Sequence, residues 1–234
     1  MDLVPDKYLY LLINLLSIAY PLAQSYEKRL RLLRNWRAIF TSIAITGAVF
    51  LAWDELFTQL EVWGFNGRYI TGIYIGALPI EEWGFFFTIP FACIFVYEVL
   101  NYFIKKDLFE NSHQAMTLFF LMVTLFLGFY FSDKLYTVVA FYFAAILLSL
   151  QFLVFKHKWM GRFYMAYFVS LIPFLLVNGW LTGSFTDEPI VWYNNNENMG
   201  LRIFTIPVED TIYLLGMLLM VFMIYEKGKI KEPA

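Results

Sequence analysis

Two acidic pairs stand out against an apolar chain. Glu81-Glu82 in LPIEEWGFF and Glu209-Asp210 in TIPVEDTIYLL each follow a proline and open a long apolar run. Ionisable groups at membrane depth are expensive and are candidates for function by default. The plainer reading makes them helix caps. Pro79 and Pro207 suit a first helical turn, where a missing N–H costs nothing, and the helix dipole favours anions there. Four carboxyls gathered beside aromatic rings tilt the balance toward proton transfer. Sharing one site, they would titrate as a coupled set with at least one proton retained. Apolar surroundings and like charges favour the protonated form, whereas a helix N-terminus opposes it. Successive helical side chains diverge by about 100°, so one acid of each pair is expected to face a cavity and the other water. Glu81, Glu82, Glu209 and Asp210 are the candidate catalytic groups, with Glu82 or Asp210 as proton donor and Glu81 or Glu209 as acceptor.

Candidate substrate contacts surround these acids: Trp53, Asp54, Trp63, Asn66, Trp83, Phe86, Trp180, Glu188, Trp192 and Asn194, with Phe85 and Tyr193 as further aromatic neighbours. A ring face stabilises a nearby cation by about 0.5–2 kcal/mol. A proton donor, an acceptor and an aromatic lining suit carbocation chemistry on an apolar alkene.

The elements that must position these groups follow from composition. The chain is 60% hydrophobic and only 15% charged, where soluble domains are about a quarter charged. A spanning helix needs about 20 mostly apolar residues. Seven stretches qualify or nearly do: 8–25, 36–53, 79–104, 115–131, 135–155, 162–182 and 206–226. The first begins beyond Asp2 and Asp6 without a basic leader, and is read as a retained helix and not a signal peptide. The lone Cys93 rules out an internal disulfide.

Of 17 basic residues, 13 fall in alternate loops: Lys28, Arg29, Arg31, Arg34 and Arg37, then Lys105 and Lys106, then Lys156, Lys158 and Arg162, then Lys227, Lys229 and Lys231. Positive charge stays cytoplasmic, so the N-terminus is expected outside, the C-terminus inside, and the protein in the cell (inner) membrane as a multi-pass, all-α chain. The acid pairs then lie at the outer face. Glu98 and Glu226, about 24 Å further along their helices, are expected to ion-pair with Lys105, Lys106, Lys227 or Lys229. Asn14, Gln24, Gln151 and Asn178 are expected to hydrogen-bond between helices.

The chain also repeats itself. GIYIGALPIEE (72–82) matches GLRIFTIPVED (200–210) at an offset of 128, and Tyr97-Glu98 matches Tyr225-Glu226 at the same offset. Trp53 matches Trp180, and Asp6-Lys7 matches Asp133-Lys134, at 127. Each repeat holds three helices, and the fourth helix of the chain restores the starting side of the bilayer. The expected organisation is a first repeat at 1–104, a linking helix at 105–132 and a second repeat at 133–234. Such repeats run parallel, about an axis along the membrane normal, so one cavity could collect both acid pairs.

LPIEEWGFF followed by YEVLNYF, and GSFTDEPIVWYN followed by GLRIFTIPVEDTIYLL, resemble the lycopene cyclase domain, a cofactor-independent carotenoid cyclase family found as heterodimeric halves or fused repeats. The likeness covers both repeats and is closest to the single-polypeptide form. It implies conversion of the acyclic ends of lycopene and related linear carotenoids into β-ionone rings, giving β-carotene by way of γ-carotene, with no cofactor and no metal. Carried over by position, Glu81, Glu82, Glu209 and Asp210 would be its catalytic acids. Asp210 departs from a strict repeat of Glu82.

Rival classes are weaker. A retinal protein needs a lysine within a helix, and all ten lysines lie in loops or at helix ends. A proton or cation transporter would want acids between the outer cluster and Glu98 and Glu226, and there are none. No GxGxxG supports a flavin-type cyclase, and no Asp-rich box supports a prenyltransferase. His113 and His157 are too few for a histidine-box di-iron hydroxylase. A carotenoid hydratase, in which water captures the same cation, is the nearest alternative. The partners expected are linear carotenoids and the lipid bilayer, with no nucleic acid.

Overall fold

A computed structural model describes residues 5–230 other than Lys28 and Arg31; Asp2, Lys28, Arg31 and Lys231 therefore lie outside the described residues. Seven α-helices dominate these: α1 (Leu9–Gln24), α2 (Trp36–Gln59), α3 (Ile80–Phe103), α4 (His113–Tyr130), α5 (Leu135–Ser149), α6 (Met160–Leu181) and α7 (Glu209–Gly228). Six are long and apolar enough to cross a bilayer; α1, with 16 residues, falls short of the same length. The chain is an all-α membrane protein, as expected. α4 shows the lipid-facing surface most clearly. It packs chiefly on α5 and turns Phe119, Met122, Phe126 and Phe129 outward, an apolar face that water would not tolerate at this extent.

The helix ends depart from expectation where the site is built. α2 continues to Gln59, well past residue 53, which puts Asp54 inside the helix. α5 gives way to a π-helical turn, Leu150–Phe155, ended by Lys156 in the left-handed region (φ 48°). Two short ribbons precede α3 and α7: β2 (Tyr74–Ile75) pairs with β3 (Leu78–Pro79), and β5 (Arg202–Ile203) with β6 (Ile206–Pro207). Pro79 is extended (ψ 151°) and caps α3 from outside, while Pro207 ends its ribbon two residues before α7. Each proline thus closes a ribbon instead of opening a helix, and the acids follow at once in the first helical turn.

The packing repeats about a pseudo-two-fold axis. α1 lies along α3 and α5 lies along α7, while α2 crosses to α7 and α6 crosses to α3. The third strand pair sits on the axis. β1 (Trp63–Phe65) runs antiparallel to β4 (Val191–Tyr193), with Trp63 opposite Tyr193, Gly64 opposite Trp192 and Phe65 opposite Val191. Gly64 and Trp192 are themselves related by the 128-residue offset, so equivalent positions of the two halves meet there. A Cβ on residue 64 would run into the Trp192 indole. Glycine is required by that approach.

At the far end of the bundle, Lys229 bonds Glu98 at 2.6 Å and lies 3.6 Å from Glu226. Tyr225 donates its hydroxyl to Glu98 at 3.0 Å. The expected ion pairing is present there, with Lys229 as the shared cation.

Candidate active site

The ribbons fix the start of α3 and α7 by different means. In the first half, the Ala77 N–H donates to the Glu55 carboxylate at 2.8 and 3.0 Å, and Gly76 turns with positive φ (67°) so close to that carboxylate that no side chain fits. In the second half, the Thr205 hydroxyl meets those of Thr182 and Ser184 at 2.6 Å each.

Within each acid pair the two carboxyls separate, but neither reaches water. Glu81 turns back to accept the Thr71 N–H at 2.7 Å. Glu209 does the same with the Met199 N–H at 2.6 Å, ten residues upstream in both cases, and adds the Thr137 hydroxyl at 2.7 Å. Both are buried, and each has one oxygen, Oε2, without a partner. Their geometry ties the upstream loop to the helix start. The expectation that one acid of each pair would face water is corrected: a buried backbone N–H claims Glu81 and Glu209 instead, because an unpaired amide there is costly.

Glu82 and Asp210 face one cavity of ≈50 Å³ on the pseudo-axis, and Asp54 faces it too. Tyr10 of α1 donates its hydroxyl to Glu82 Oε2. Trp63 donates its indole N–H to Asp54 Oδ1. The Asp54 and Glu82 carboxyls are direct neighbours, and Asp54 Oδ2 is buried without a donor. Across the cavity Asp210 accepts three neutral donors: Tyr136 O–H at 2.6 Å, Asn178 Nδ2–H at 3.0 Å and Tyr193 O–H at 3.1 Å. Tyr213 stands in the same lining, its ring 6.3 Å from both Trp63 and Tyr136. Phe65, Phe85, Phe86 and Phe174 complete an apolar, aromatic wall.

The other expected substrate contacts divide. Asp54, Trp63 and Phe86 line the cavity, as do Phe85 and Tyr193. Trp53 lies one layer behind, its ring 4.9 Å from that of Tyr213. Trp83, Trp180 and Trp192 are partly exposed on the outside of the bundle. Asn66 donates to Glu188 at 2.9 Å on the exposed surface, and Asn194 accepts the Asn196 N–H at 3.0 Å, shaping a turn. These six are placed away from the cavity: Trp83 and Trp180 sit on outward faces of α3 and α6, and Asn66, Glu188, Trp192 and Asn194 belong to the segments around the β1–β4 crossing.

Tyr10, Tyr136 and Tyr213 were not expected. Spacing did not mark them: Tyr10 precedes Glu82 by 72 residues but Tyr136 precedes Asp210 by 74, off the repeat offset. Asn178 was expected to bond between helices and does so, from α6 to Asp210. Asn14 likewise donates to the Glu81 carbonyl at 2.9 Å and accepts from Thr88 at 2.8 Å. Gln24 is exposed at the end of α1, and Gln151 bonds His157 in the loop beyond its own helix at 2.8 Å.

A family model described as lycopene cyclase matches residues 7–100 and again 133–227, the two stretches that hold α1–α3 and α5–α7. No curated protein and no solved structure matches the chain.

Proposed function

Because the chain belongs to the lycopene cyclase family, we propose that it is a cofactor-independent lycopene β-cyclase, closing the acyclic ends of lycopene to β-ionone rings. The observation that carries the reading is the cavity itself: three buried carboxyls, Asp54, Glu82 and Asp210, gathered from both repeats among aromatic rings.

The reaction needs one proton in and one proton out. Asp54 and Glu82 are the source. Two neighbouring buried carboxyls cannot both stay ionised at low cost, so a proton shared between Asp54 Oδ2 and Glu82 would satisfy the Asp54 oxygen that lacks a donor. Passed to the terminal double bond, that proton leaves a tertiary cation. The next double bond attacks it, a carbon–carbon bond closes the six-membered ring, and the cation moves into the ring. Trp63, Tyr136, Tyr193 and Tyr213 present π-faces to it, each worth about 0.5–2 kcal/mol. Asp210, which accepts hydrogen bonds from three neutral donors, is the acceptor in this reading, since such donors stabilise the carboxylate form. It takes the ring proton, the new double bond forms, and the product is an isomer of the substrate. Tyr193 and Tyr213, set between the two poles, offer hydroxyls through which Asp210 can return its proton to the Asp54–Glu82 pair.

Glu81 and Glu209 then serve as positioning residues that hold the helix starts. The repeats correspond to residues 1–104 and 133–234, with 105–132 linking them. The bias of Lys and Arg supports a cytoplasmic placement of the Lys229 end and an outer placement of the cavity. The test is expression in a lycopene-accumulating host, with products separated by chromatography. Monocyclic and bicyclic β-ring products support the reading. Lycopene left unchanged would overturn it, and 1-hydroxylated acyclic products would assign a hydratase instead.

A further inference from the structure

The cavity as it stands has room for little more than one or two waters, at about 30 Å³ each. A long rod-like polyene must therefore leave most of its length outside it. Pockets that engulf even drug-sized molecules run to about 300–1,000 Å³.

A second, apolar cavity of ≈350 Å³ lies on the bundle's flank between α1 and α6, lined by Leu9, Ile13, Leu16, Pro173, Val177 and Trp180 among others. It is built from the neighbouring faces of the two helices that wall the active cavity. Leu9 and Ile13 flank Tyr10 on α1, and Pro173 and Val177 precede Phe174 and Asn178 on α6. The two spaces thus share the same pair of helices as walls. From Leu9 to Ser17 the groove follows α1 for about 12 Å at 1.5 Å per residue. Its outer lip is exposed, Leu16 at 66% and Leu176 at 60%.

The equivalent seam on the other side of the pseudo-axis, between α2 and α5, is shut. Phe143 sits there, its ring 5.3 Å from Phe50 and 5.7 Å from Trp53. By the 127-residue offset that relates Asp6-Lys7 to Asp133-Lys134, Phe143 corresponds to Leu16, which lines the groove. One half carries a plug where the other carries a groove.

We propose that the α1–α6 groove is the binding site for the polyene chain of the substrate, holding its length against the bundle on the lipid side while one end reacts at the carboxyls. The assignment rests on the cyclase reading. It commits the site to a long, rigid, apolar hydrocarbon entering from the bilayer and not from water. It also fits a single active cavity: with only one of the two equivalent seams open, the two ends of a symmetrical substrate are served in turn.

The test compares two substrates in vesicles: lycopene, and a short acyclic isoprenoid that carries only the reacting end. Leu16→Trp and Leu176→Trp fill the groove from its exposed lip without touching the core. Leu153→Trp, in a similar apolar cavity between α4 and α5, is the control. Expected for both groove variants is a fall in kcat/KM for lycopene of roughly tenfold or more, carried by KM, the signature of lost uniform binding. The short substrate and the control stay near wild type. Equal loss for both substrates, or an unchanged constant for lycopene, overturns the proposal and leaves the groove to lipid acyl chains. A wild-type protein that closes no ring on either substrate would instead overturn the cyclase reading.

Discussion

Glu82 and Asp210 occupy the same position in the two halves, two residues after the helix-leading turn and one after a loop-tying glutamate, yet their surroundings differ in kind. Glu82 has a second carboxyl beside it and one phenol. Asp210 has no carboxyl on the cavity side and three neutral donors. The second helix of each half supplies the difference: α2 brings Asp54 beside Glu82, whereas α6 brings the Asn178 amide to Asp210. Duplication supplies two equivalent acids, and the different second-helix neighbours of each are what the proposed mechanism uses to assign one the role of donor and the other the role of base. An acid and a base facing each other across a cation are what ring closure by proton gain and loss requires.

That contrast can be broken at its proton-bearing pole first. Glu82→Gln removes the donor, and we expect ring formation to fall by about 10²–10⁴-fold, the usual worth of a general acid. Asp54→Asn should do nearly as much, because an amide beside Glu82 donates to it and leaves it without a proton to give. Accumulated lycopene, against protein quantified by blot, checks both.

The opposite pole is sharpened by product identity. Asp210→Asn should lower turnover by about 10²-fold, and what product remains should lose its proton from a different carbon or gain water. Chromatography would show a shifted ring double bond or a hydroxyl. A residual product that is purely β-ringed would remove Asp210 from the role of base.

Smaller effects follow for the phenols. Tyr10→Phe and Tyr136→Phe each delete one hydrogen bond to a charged or proton-sharing group, worth about 1.5–3 kcal/mol, which corresponds to a loss in rate of roughly 10- to 150-fold. The smallest catalytic effect is expected at the loop-tying pair. Glu81→Gln and Glu209→Gln should leave turnover within a few-fold while lowering thermal stability by about 1–3 kcal/mol, the cost of disturbing a buried backbone donor. Abolished turnover with unchanged melting would return those residues to the chemistry.

Much of this was legible before any coordinates. Hydropathy marks the helices because about 20 apolar residues in a row have few other uses, and the fixed 128-residue offset announces two halves that share an axis. The acids were legible because charge is rare in such a chain. Which acid of each pair meets the cavity was not, since that choice depends on which buried N–H lies ten residues upstream. The length of α2 was also hidden: Trp53-Asp54-Glu55 reads as the polar end of a helix, and its continuation to Gln59 depends on packing against the second half. The tyrosines carried no signal, being three among 16 in a chain rich in rings. The tryptophans misled for the same reason, because nearness in sequence to an acid is not nearness to its carboxyl.

The crossing of Gly64 over Trp192 has a consequence for ancestry. Two tryptophans at that spot would collide, since even a Cβ on residue 64 meets the indole, and two glycines would leave the crossing without the ring that now covers it. Neither present-day half could therefore pair well with a copy of itself; each has become the other's obligatory complement.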